Sequence, residues 1–247
     1  MKKFKLLSLG GLTIAGIHFF NKYISEKALV QNNSFTDFEY KWSYGVIRYS
    51  KQGNGTPVLL IHDLTAGSSS YEWKFIASSL EKNHTVYTLD LLGCGNSDKP
   101  VFTYTNFLFV QLLKDFVDDV INDSCDIVTS GTSCEIALMY ALTPNCSVKK
   151  IITVNPYFAS REELLISKKN KYCNYFYQLP MLGTFAANLK NSREAFEQLF
   201  YNNYYHDAYA ISSDCIDAYY SAYHTNGTSR GLFSSILNHY THTDTSG

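Results

Sequence analysis

Residues 127–141 read IVTSGTSCEIALMYA, a β-branched run that passes through Gly131-Thr132-Ser133-Cys134-Glu135 into an alanine- and leucine-bearing helix. A sharp turn between strand and helix can expose a serine hydroxyl at the helix N-terminus, where it attacks a carbonyl carbon. The Gly131-x-Ser133 spacing makes Ser133 the candidate nucleophile, with Ser130 a second hydroxyl in the same stretch. Residues two before and two after such a serine have to be small, because strand and helix backbones crowd each other there. Gly131 meets that demand and Glu135 does not. A serine also needs a base within hydrogen-bond reach. His224, in AYHTNGTSR, is a possible surrogate base, although a surface or capping role is the plainer reading. His239, His242 and Asp244 are spaced loosely enough for metal ligands but sit in a polar tail with no further clear partner, so no metal site is expected.

The elements that must position these groups follow from periodicity. FEYKWSYGVIRYSKQGNG reads as a strand pair bending near Tyr44-Gly45, and PVLLIH, HTVYTLDL, CDIVTS and KKIITVNP are four short apolar runs suited to buried strands. Between them, SYEWKFIASSL and TNFLFVQLLKDFVDDVI have helical spacing. Strands alternating with helices argue for a parallel sheet covered on both faces, with its site at the strands' carboxyl ends. At those ends stand HDLTAGSSSYEW, LGCGNSDKP and GTSCE.

These three turns, in this order, resemble those of the α/β-hydrolase fold family, in particular its cap-bearing branch of esterases, epoxide hydrolases and haloalkane dehalogenases. DLLGCGNSDKP is the most specific part; Gly93 and Gly95 permit a tight turn, and Ser97 and Asp98 can bond local backbone. It holds no G-x-G-x-x-G, which argues against a nucleotide loop. The resemblance implies serine-dependent hydrolysis of an ester or similar bond, with Ser133 attacking and the N–H groups of Leu64 and Cys134 forming the oxyanion hole. Most relatives carry glycine where this chain has Asp63, which could bring a negative charge to a site meant to stabilise one. The family's acid and histidine follow on later strands, yet residues 157–247 read as helical cap and tail. The expected architecture is therefore a hydrolase-like core over 37–156 and a cap over 157–247, with the last strands missing. The rival reading is a catalytically inactive truncated homologue that binds a small ligand or a protein, or has no function.

The formal net charge of −1 gives no electrostatic case for nucleic acid. Six cysteines without C-x-x-C spacing indicate neither zinc nor a disulfide framework, and free buried thiols are expected. No cofactor is implied; the expected partner is a small apolar or ester substrate, met by an aromatic-rich cap. Three lysines precede the uncharged stretch Leu6–Phe20, shorter than the ~20 residues of a comfortable membrane span. A signal-anchor or shallow membrane helix is expected over residues 6–20, followed by a polar linker over 21–36; a cytoplasmic protein with an ordinary N-terminal helix is the alternative.

Overall fold

The apolar runs pair into one six-stranded sheet, in a computed structural model that describes residues 2–31, 36–160, 164, 168–204 and 211–242, without the side chains of 2–12 and 169. The strands are β1 (Phe38–Trp42), β2 (Gly45–Gln52), β3 (Thr56–Ile61), β4 (His84–Leu89), β5 (Cys125–Ser130) and β6 (Val148–Val154). They lie in the order β1-β2-β4-β3-β5-β6. The expected strand pair is an antiparallel hairpin, and β2 continues antiparallel against β4. The other pairs are parallel, with Leu60 opposite Thr88 on one side and Val128 on the other.

Helices cover both faces. The chain first forms α1 (Lys2–Val30); α2 (Lys74–Leu80), α3 (Asn106–Phe116) and α4 (Ser133–Ala141) then follow β3, β4 and β5 in turn. Alternate residues of one strand serve opposite cores: Val58 and Leu60 pack with Trp73 and Ala77, while Leu59 and Ile61 join Phe109, Leu113, Ile136 and Tyr140. A seven-residue helix such as α2 cannot stand alone in water. Burial of Trp73 and Ala77 holds it, at roughly 2–3 kcal/mol for a large buried side chain. Thr105 starts α3 by accepting the N–H of Leu108.

After β6 the described residues contribute helices and no strand: α5 (Lys168–Gln178), α6 (Leu182–Lys190), α7 (Arg193–Leu199), α8 (Ser213–His224) and α9 (Arg230–Leu237). Their own core gathers Ala187, Phe196, Phe200, Ile216, Tyr220 and Tyr223, and Ala28 of α1 belongs to it. The expected linker over 21–36 is thus helical as far as Val30. Asn21 donates to the Met181 carbonyl and accepts from Asn188, Ser25 donates to the His224 carbonyl, and Phe20 meets Phe185 edge to face. Packing on the cap overrides the polar composition that suggested a linker. Among the described residues, no helix is long and apolar enough to cross a membrane. The six cysteines are free thiols; Cys94, Cys125 and Cys134 are buried, and the other three are half-buried.

Candidate functional site

The turn after β3 is organised by His62. The Leu91 N–H donates to its Nε2 at 3.1 Å, which leaves the proton on Nδ1 to be donated to the Asp63 carbonyl at 2.8 Å. The buried imidazole therefore ties the β3 and β4 turns together and has no nitrogen left for substrate. In the β4 turn, Asp90 accepts the N–H groups of Ser70 and Asn96, and Ser97 donates to the Asp90 carbonyl while accepting the N–H of Arg48. Lys99, buried at the end of this turn, donates to the carbonyls of Gly95 and Thr225 and so pins the turn to the loop after α8.

The reversal after β5 falls at Gly131, where φ is +54°, and not at Ser133. This left-handed conformation is where a strand-to-helix elbow carries its exposed side chain. Glycine has none, and the space is taken from another loop: a Cβ built on Gly131 would lie 2.2 Å from Asp63 Oδ1. The Thr132 N–H, next after the elbow, donates to that oxygen at 2.8 Å. Burial raises the Asp63 pKa above the ordinary carboxylate value, and the nearby Glu72 charge adds to this; the bond from Thr132 opposes the rise, with smaller contributions from His62 and Leu64. Glu72 supports the arrangement, accepting the Asp63 N–H at 2.9 Å through Oε2 and the Ser130 hydroxyl through Oε1.

Above these groups opens a cavity of about 580 Å³. Asp63, Glu72, Ser130 and Gly131 line it on the sheet side, and Phe200, Tyr204, Cys215 and Tyr219 on the cap side. Tyr71, Lys74 and Phe75 complete the wall, with the Lys74 ammonium 4.0 Å from the Tyr71 ring centre and 4.7 Å from that of Phe75. The cap aromatics thus face a pocket at the carboxyl ends of the strands.

The residues expected to do chemistry are distributed differently. Ser133 is fully buried in the first turn of α4, and its hydroxyl donates to the His62 carbonyl at 2.7 Å. That bond fastens α4 to the end of β3 and turns the oxygen away from the cavity. The Cys134 N–H donates to the Gly131 carbonyl at 3.3 Å, so it is spent within the helix start; Thr132 supplies the N–H at the elbow in its place. Leu64 is buried in the turn after β3, next to the Asp63 carboxylate that Thr132 holds. His224 is buried inside the cap, with Nε2 donating to the Asn191 carbonyl and Nδ1 2.9 Å from the side-chain amide of Asn188. Burial, with a lesser contribution from the Lys99 charge, pulls its pKa down to about 4. It is a packed neutral histidine, not one overhanging the pocket.

Glu135 does not point outward. It is buried, with Oε2 3.4 Å from His242 Nδ1. His239 and His242 lie with ring centres 6.1 Å apart, Asp244 lies outside the described residues, and no three ligating side chains gather among the described ones. Sequence reasoning missed Gly131, Glu72 and the part played by Asp63. The misfit of Glu135 was the available signal: moving the frame back two residues places Thr129 and Ser133, both small, on either side of Gly131.

The family model for the alpha/beta hydrolase fold matches residues 56–233. Over 71 residues the chain is 37% identical to 2-hydroxy-6-oxo-6-(2'-aminophenyl)hexa-2,4-dienoic acid hydrolase of Metapseudomonas resinovorans, covering 28% of this chain and 24% of that protein. Over 111 residues it is 32% identical to the proline iminopeptidase of Heyndrickxia coagulans, covering 44% and 38%. The chain thus matches less than two fifths of the length of either relative. A crystal structure of an epoxide hydrolase from Vigna radiata superposes with a TM-score of 0.63 at 17% identity, covering 82% of this chain and 71% of that one. With the sheet order, the elbow after β5 and a family match over most of its length, this chain belongs to the alpha/beta hydrolase fold family.

Proposed function

We propose that residues 1–247 bind a small molecule of the ester-like class in the cavity above Gly131, and that Ser133 does not attack it. The observation that carries this reading is the glycine at the elbow, with the Asp63 carboxylate filling the space of its missing side chain. Ser133 lies in helical backbone with its hydroxyl committed to a carbonyl, and among the described residues no hydrogen bond links it to a base. The Thr132 N–H already holds a carboxylate, so a developing oxyanion would have to displace it. Loss of one such donor alone costs about 10²–10³ in turnover. The test is hydrolysis of p-nitrophenyl butyrate. The expected rate is barely above background and unchanged by Ser133→Ala; robust turnover abolished by that substitution overturns the reading.

Hydrolysis by a different serine is the second reading, favoured by the Ser130 hydroxyl bonded to Glu72 inside the same cavity and by the hydrolase names of the relatives. Its signature is turnover lost in Ser130→Ala and Glu72→Gln but kept in Ser133→Ala. At the N-terminus we propose contact with a membrane surface without a span, supported by the exposure of Ile14 and Phe19 on α1. Flotation of the full chain with anionic vesicles tests it, and recovery of all protein from the vesicle-free fraction overturns it.

A further inference from the structure

The cavity joins two carboxylates to a wall of aromatic rings. We propose that the group it recognises is a cation, the ammonium of a small amine or quaternary ammonium compound, received by Asp63 and Glu72 among Tyr71, Tyr204 and Tyr219. The inference rests on reading the cavity as a ligand site and adds the charge of the ligand.

The place where relatives stabilise negative charge is here filled by a negative group. Asp63 Oδ1 takes the Thr132 N–H, so a ligand carboxylate or oxyanion arriving at the elbow would lose that donor and face two like charges. A cation meets the opposite situation. The two Glu72 oxygens accept one bond each in the structure, from Ser130 and from Asp63, and a carboxylate oxygen can accept about two. Acceptor capacity therefore remains on Glu72, a residue of the cavity lining.

The rings stand in the field of these carboxylates. After burial itself, the charges of Asp63 and Glu72 help raise the phenol pKa of both Tyr204 and Tyr219, which places cap and floor within electrostatic reach of each other. An ammonium already lies on the cavity wall: Lys74 Nζ sits over Tyr71 and Phe75. Lys74 is the cation among the described lining residues, set against the two carboxyl groups of Asp63 and Glu72. A volume of about 580 Å³ suits a ligand of drug-like size or smaller.

The test titrates the full chain by calorimetry with three probes of one shape: phenethylammonium, phenethyl alcohol and phenylacetate. The cation is expected to bind at least tenfold more tightly than the alcohol, and phenylacetate more weakly than either. Asp63→Asn and Glu72→Gln, close to isosteric, should each erase most of the advantage of the cation while leaving the alcohol's affinity within about twofold; their melting curves check that they fold. Tyr219→Leu should also weaken the cation more than the alcohol. Equal binding of cation and alcohol, or preference for phenylacetate, overturns the charge assignment and leaves the ligand-site reading standing. Absence of binding by all three probes overturns both.

Discussion

Two glycines in left-handed backbone, Gly95 and Gly131, each lie under an aspartate carboxylate. A Cβ on Gly95 would come within 2.2 Å of Asp90 Oδ2, and one on Gly131 within 2.2 Å of Asp63 Oδ1. Locally the device is the same, a positive-φ glycine followed by a residue whose N–H donates to an aspartate carboxylate. The surroundings differ. Asp90 is sealed in the β4 turn with Ser70 and Asn96 as donors, whereas Asp63 borders an open cavity. The closed copy holds the turn that the cap rests on. The open copy occupies the position from which relatives do chemistry, so one arrangement of atoms can be scaffold in one place and ligand surface in another.

The largest expected effect comes from removing the permissive glycine where nothing can yield. Gly95→Ala combines strained backbone with displacement of a carboxylate that anchors two N–H groups, and should cost about 3 kcal/mol or more, roughly 10 °C in melting temperature for a chain of this size. Gly131→Ala carries a similar φ penalty, but Asp63 can swing into the cavity, so a loss nearer about 1–2 kcal/mol is expected. Adding Asp63→Gly should recover part of that smaller loss. Equal losses at the two sites by denaturant melts would break the comparison.

Acid separates closed from open polar groups by sign. His224 is neutral and enclosed, with a folded pKa of about 4 against an ordinary 6.5. Its contribution is fully present above pH 6.5 and is lost as pH falls toward 4, because the unfolded chain takes the proton first. At about 1.4 kcal/mol per pH unit the loss approaches roughly 3 kcal/mol. Chemical denaturation at pH 7 and pH 4.5 should show that drop in the parent chain and a much smaller one in His224→Gln. A parent chain equally stable at both values contradicts the enclosed neutral histidine.

The sheet was readable because its evidence is redundant: Val58–Ile61, Val86–Leu89 and Ile127–Val128 are continuous apolar runs with turn residues at their carboxyl ends, and DLLGCGNSDKP places the turn after β4. The elbow was not, because G-x-S matched a familiar spacing two residues out of frame. Register at a reversal is set by the single residue with positive φ, and in TSGTS the residue best suited to that conformation is the glycine. The filling of the elbow by Asp63 depends on contact between loops 68 residues apart in sequence, which local pattern does not encode. The helical continuation of α1 past Asn21 was hidden for the same reason, since Asn21, Ser25 and Ala28 are fixed by the cap.

The finest test of the comparison is Asp63→Asn. Burial first, and the Glu72 charge in addition, raise the folded pKa of Asp63 above its value in the unfolded chain. A carboxyl with a raised folded pKa supports the fold below the unfolded value, near 3.8, and the support is lost as pH rises through the folded value. Once ionised, Asp63 therefore holds a charge that the fold disfavours. Asparagine keeps an oxygen to accept the Thr132 N–H, fits the space beside Gly131 and removes that charge. The expected result is a melting temperature that gains on the parent as pH rises and Asp63 ionises in the parent. Asp90→Asn is the control, because Asp90 gathers two N–H groups in a closed turn and charge-assisted bonds of that kind are about twice as strong as neutral ones. It should lower the melting temperature at pH 7.5. Stabilisation at 90 together with destabilisation at 63 would reverse the assignment of scaffold and ligand surface; the opposite pair of signs makes Asp63 a charge kept against the interest of the fold, as expected of a group held for a ligand.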